Sequence, residues 1–181
     1  MIPAGYMAKR VYQRPEWLKA PHILDIYSVS ACQSENFTDY ISHWKHNAFW
    51  LFDSPKTIKE VAEKDSVDLT ETTLFYYEVF EMELDEGQWR PYEPESQLLL
   101  PNVEKPANQK IEGFDVVTFW ARSHPECSPL SCNSLAEEIK TTAHCLFASF
   151  DEAKESLEKG DFKDAEPGPY RIFSVSSVNW H

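Results

Sequence analysis

The longest β pattern in the chain, from Thr73 to Leu84, constrains the fold more than any other feature. Phe75, Tyr77 and Val79 line one face, and Leu74, Tyr76, Phe80 and Met82 line the other. Successive residues of a strand point to opposite sides. A strand of this composition therefore carries apolar side chains on both faces until Glu81 and Glu83 open one of them to water. The sheet that contains it needs cover from other elements.

Further strands are predicted over 23–30, 114–120 and 170–178, each rich in β-branched or aromatic residues, with a short one over 145–148. Phe49 to Phe52 reads as a short buried strand or turn. Asp85-Glu86-Gly87 reads as a turn into a second hairpin arm through Gln88-Trp89-Arg90. Helix signals are local. Ser54-Pro55 places an N-cap before a proline that has no N–H to waste, and Ile58, Val61 and Ala62 then share a face to about Lys64. Phe37, Tyr40, Ile41 and Trp44 predict a short helix over 36–46. Ser134-Leu135-Ala136-Glu137 and Ser149-Phe150-Asp151-Glu152 have the spacing of capping boxes, predicting helices to about Lys140 and to Gly160.

This order predicts an α+β domain with a mixed or largely antiparallel sheet flanked by about four helices. Residues 1–22, broken by Pro3, Pro15 and Pro21, are expected to form an extended N-terminal arm packed on a single domain spanning 23–181. Such an arm could also mediate a dimer. Hydrophobic residues make up 42% of the chain and aromatics 14%, enough to offset ordering entropy and argue against disorder. Five glycines against twelve prolines, with no glycine-rich strand-to-helix turn, argue against a dinucleotide or P-loop phosphate site.

The net charge of −13 is uneven. Four basic residues (Lys9, Arg10, Arg14 and Lys19) against Glu16 give residues 1–22 a charge of +3, which leaves −16 on the other 159. That field repels nucleic-acid phosphates and anionic lipid. No run approaches the ~18 apolar residues of a membrane span. The amino-terminal residues lack the apolar run of an export signal. A cytoplasmic location with four reduced thiols is therefore expected.

One segment concentrates soft ligands: His124-x2-Cys127-x4-Cys132-x11-His144-Cys145. The quartet His124, Cys127, Cys132 and His144 is the best candidate zinc site, although its spacing fits no tight two-cysteine knuckle well. His144 and Cys145 are adjacent and would point to opposite faces. The preferred reading is that no cofactor is present. The cysteines would then be small apolar side chains in a loop stiffened by Pro125 and Pro129. A thiol nucleophile at Cys32 with His43 or His46, or at Cys127 with His124, is a weaker reading, and His43 and His46 as a metal pair is weaker again. The acidic residues lie in dense runs typical of solvated turns, so no catalytic pair is nominated. Trp17, Trp89 and Trp180 are expected either to anchor a partner or to pack onto the sheet.

Two functions follow from this reading. The first is a non-catalytic, inhibitor- or immunity-like interaction module that binds a basic protein. The second is a small enzyme or ligand-binding protein, with a cleft near the 91–112 and 124–133 loops that uses the Cys/His segment.

Overall fold

The computed structural model describes residues 1–36, 46–92, 102–120 and 124–180. Its frame is an eight-stranded antiparallel sheet curled into a half-barrel. The strands are β1 (Ile2–Gln13), β2 (Asp25–Ile26), β3 (Ser34–Asn36), β4 (Thr73–Val79), β5 (Met82–Asp85), β6 (Gln88–Pro91), β7 (Lys110–Thr118) and β8 (Tyr170–Val178). The main path runs β2-β1-β4-β8-β5-β6, with β3 also on β1 and β7 on the far side of β8.

The apolar pattern at 73–84 divides at Phe80–Glu81 into β4 and β5. β4 has the two-faced burial its sequence demands: Leu74, Phe75, Tyr76, Tyr77 and Val79 are all buried. The turn at Asp85–Gln88 closes the β5–β6 hairpin. The strands expected near 114–120 and 170–178 are β7 and β8, and β7 begins four residues earlier than its pattern suggested.

The expected set of about four flanking helices is not what folds. Among the described residues there are three, α1 (Pro55–Asp65), α2 (Pro129–Cys132) and α3 (Phe150–Lys159), and only 18% of the chain is helical. α1 and α3 have the predicted caps, with Ser54 Oγ accepting from Thr57 N and Ser149 Oγ from Glu152 N, each at 3.2 Å. Gly160, at φ +79°, ends α3. The helix expected over 134–140 is a single 3₁₀ turn, Leu135–Glu137. Ser134 sits there in the left-handed region at φ +60° and its hydroxyl caps nothing, so the capping box has no cap. The helix expected over 36–46 falls almost entirely outside the described residues.

Two strand expectations also change. The 23–30 pattern forms only the two-residue β2, because the carbonyls of Ser28, Val29 and Ser30 turn toward the Lys9 ammonium. The 145–148 segment is a turn in which Phe147 alone makes a bridge, to Phe114 of β7. Residues 2–13, expected in an arm, are instead a strand within the sheet, pairing with β4 from Ile2–Val79 to Lys9–Thr73. A shift in register between Pro3 and Gly5 accommodates the proline. Gly5, at φ +144°, lets the chain pass Leu51 and Phe52 where a Cβ would stand 2.6 Å from Leu51 Cβ.

Tyr6, Phe52, Ile58, Phe75, Tyr76, Tyr77 and Phe173 build one core between the sheet and α1. A second core, under α2 and α3, gathers Leu130, Phe147, Ala153, Leu157, Phe162 and Ile172. The boundary between them holds the polar groups that position the site.

Candidate functional site

Cys127 follows β7 and is tied back to it: Thr118 N donates to Cys127 O at 2.9 Å, and Cys127 N donates to Thr118 Oγ1 at 3.2 Å. Cys132 ends α2, whose start is set by Pro129. The two cysteines form a disulfide with their Cα atoms 6.5 Å apart. The expectation of four reduced thiols therefore fails for this pair. Cys32, from the turn before β3, reaches the same place, and its Sγ donates to Glu126 O at 2.9 Å. The sulfurs of Cys32, Cys127 and Cys132 all lie within 4.8 Å of one another.

Of the predicted quartet, Cys127 and Cys132 come together, and the two histidines lie in other surroundings. His124 is exposed and stands edge-on to Trp50, with ring centroids 5.3 Å apart. His144 stacks on Tyr27 at 4.1 Å, and its Nδ1 lies 2.5 Å from Asp25 Oδ1. Among the described residues the sulfur cluster recruits Cys32 where the sequence suggested two histidines. His46 packs against Phe52, and His43 lies outside the described residues. Cys145 is buried in the second core with Phe147, and burial pushes its thiol well above the ordinary range, with the Asp115 charge adding to the effect.

A cleft of about 300 Å³ opens over the three sulfurs. Trp120, 60% exposed, forms one side, and Glu126 and Glu166 contribute carboxylates. Asn133 Oδ1 accepts from Glu166 N at 3.3 Å and lies 3.5 and 3.8 Å from the sulfurs of Cys127 and Cys132. A disulfide has no proton to give this oxygen, whereas the two thiols of the reduced pair would have one each. Asn133 Oδ1, which already accepts from Glu166 N, thus stands within reach of the thiol donors of the reduced form.

Beneath the cleft a buried polar network joins the two sulfur-bearing segments. Lys9, 1% exposed, donates from Nζ to the carbonyls of Ser28, Val29 and Ser30 at 2.6, 3.2 and 2.7 Å. Asp115 of β7 accepts at Oδ2 from Val29 N at 2.8 Å and from Ser128 Oγ at 2.6 Å. Ser30 N in turn donates to Ser128 Oγ at 3.3 Å. The chain just before Cys32 and the residue just after Cys127 are thereby held to one carboxylate.

Burial raises the Asp115 carboxyl to about 6, opposed by the hydrogen bonds from Ser128 and Val29 and by the Lys9 charge. Burial likewise holds the Cys32 thiol above its ordinary value although the residue is exposed at the rim, and Ser30 and Lys9 oppose that effect. Neither Lys9 nor Asp115 stood out in the sequence. The usable signal was a lone acid inside an apolar run, Phe114-Asp115-Val116-Val117.

Elsewhere, a groove of about 730 Å³ lies between the 3₁₀ turn and α3. Glu138, Glu152, Glu155, Asp161 and Asp164 line it against three lysines. Trp89 donates to Glu158 and Trp180 to the Thr72 carbonyl, so both pack down onto the body, while Trp17 stays 45% exposed. Among the described residues no helix is long and apolar enough to cross a membrane. No family model, curated protein or solved structure matches this chain.

Proposed function

We propose that this protein works by thiol–disulfide exchange at the three-sulfur cleft, a specific form of the ligand-binding or enzymatic reading of the 124–133 loop. One observation carries it: an exposed thiol, Cys32, stands within 4.8 Å of both sulfurs of a disulfide in an open cleft. Cys32 gives its proton to solvent, and the thiolate attacks one sulfur of the Cys127–Cys132 bond. A new S–S bond forms as the old one breaks, and the expelled thiolate takes up a proton. No net oxidation occurs. The raised Cys32 thiol keeps the exchange slow near neutral pH and makes its rate climb with pH. A cytoplasmic location, expected from the sequence, fits a disulfide that exchanges rather than one that merely staples the fold.

Peptide mapping tests this directly. The protein is held without reductant at about pH 8.5, where a substantial fraction of ordinary thiols ionise, then acid-quenched, alkylated and digested. Peptides linking Cys32 to Cys127 or Cys132 are expected, with the displaced cysteine alkylated and no such link in the C32S protein. Alkylation confined to Cys32 and Cys145, with Cys127–Cys132 the sole linkage, would refute the proposal.

The acidic groove supports a second reading, the non-catalytic module for a basic partner. Its five acids and the net charge of −13 favour cationic segments. Binding of polylysine that weakens steeply with salt, and that falls in an E152Q/E155Q protein, is expected. Salt-insensitive binding would count against it.

A further inference from the structure

We infer that, once the disulfide is reduced, Cys32, Cys127 and Cys132 form a three-thiolate site for one soft d10 divalent cation of the zinc class. The inference rests on the reading that these three sulfurs act as one centre. Reduction by a cellular dithiol supplies two electrons and two protons and converts Cys127 and Cys132 to thiols. Cation binding then displaces the protons of all three cysteines.

The geometry favours such an ion without large movement of the backbone. Thiolates at ~2.3 Å from a tetrahedral zinc stand ~3.8 Å from one another, and the three sulfurs are already gathered within 4.8 Å. Their segments are fixed independently of the disulfide. Cys32 follows the 28–30 loop that Lys9 and Asp115 hold, and Cys127 is tied to Thr118 and sits beside Ser128, which donates to Asp115. The arrangement should therefore survive reduction.

The donor set also fits. Three sulfurs select soft or borderline cations over magnesium and calcium. The open side of the cleft, where Glu126 and Glu166 lie, leaves the fourth position to a carboxylate or water. Three thiolates and a divalent ion carry a net −1, and the buried Lys9 ammonium, whose field already acts on Cys32, offsets it.

The test uses the full chain reduced with a phosphine, which does not itself bind through sulfur, and titrated with cadmium ion. Thiolate-to-cadmium charge transfer in the ultraviolet is expected to saturate at one equivalent. The C32S, C127S and C132S proteins should each bind at least ~100-fold more weakly, while C145S, H124A and H144A titrate like the parent. Far-ultraviolet circular dichroism of C32S, altered at an exposed position, checks that the fold is retained. No saturating band, an unchanged band in C32S, or a band lost in H124A would overturn the inference. The peptide mapping above uses no metal and no reductant. Mapped exchange without cadmium binding therefore defeats only this inference, and cadmium binding without exchange defeats only the exchange step.

Discussion

Replacing Asp115 with Asn probes the polar network that holds the sulfur segments. Asp115 is 1% exposed and its carboxyl is raised from 3.8 to about 6. Between those two values the folded protein retains a proton that the unfolded chain has released. Stability therefore falls as pH rises through that window, and the loss is complete above it. A rise of about two units at ~1.4 kcal/mol each amounts to ~3 kcal/mol. An asparagine oxygen still accepts from Val29 N and Ser128 Oγ, so D115N preserves the two hydrogen bonds while removing the titration. Urea unfolding of both proteins between about pH 4 and pH 7 measures the effect. The stability of D115N relative to the parent should rise by ~3 kcal/mol across that range, since the other carboxylates cancel in the difference. A difference constant to within ~0.5 kcal/mol would refute burial as the cause of the shift.

Three other substitutions bear on the same frame. K9M leaves the carbonyls of Ser28, Val29 and Ser30 without their shared donor and should cost ~3 kcal/mol in urea unfolding, with a cost under ~1 kcal/mol counting against the network. Arg171, packed between the rings of Tyr92 and Phe119, donates to Glu83 Oε2 from Nε at 3.0 Å and from Nη2 at 2.9 Å. R171M should therefore destabilise by ~3–5 kcal/mol, with much of the loss recovered in R171M/E83L, as measured in the same assay. Gly113 lies at φ +154° with Phe147 O 2.6 Å from where a Cβ would be, so G113A should cost ~2–3 kcal/mol. Faster amide exchange at Phe114 and Phe147 would locate that damage at their bridge.

What could be read in advance was local. Ser54-Pro55 and Ser149 with Gly160 mark α1 and α3 because a cap is satisfied by residues three or four positions away. β4, β7 and β8 announce themselves by long β-branched and aromatic runs. β1 was hidden because Pro3 and Gly5 interrupt it and Ala4 and Ala8 bury little surface. Ser134 shows the limit of a motif: its spacing is that of a capping box, but the left-handed backbone removes the cap. The site divides in the same way. Cys127 and Cys132 stand close enough in the sequence to be considered together, whereas Cys32 joins them through tertiary contacts that no spacing encodes. Cys145 is buried and His144 half-exposed, but strand alternation is not the reason, because the segment is a turn with Cys145 at φ +60°.

β8 comes after every strand it pairs with, yet it joins β4, β5 and β7 into one sheet. Its partners begin at Leu74, so about a hundred residues of chain must be gathered before that register forms. Loop closure on this scale delays the reward of pairing and places such topologies among slow folders, on the order of milliseconds to seconds. During synthesis β1 and β4 can meet early, but they wait with one edge of β4 open until residues 170–178 arrive. That interval exposes the most apolar strand of the molecule to other chains, and it is where a chaperone would have the most to protect.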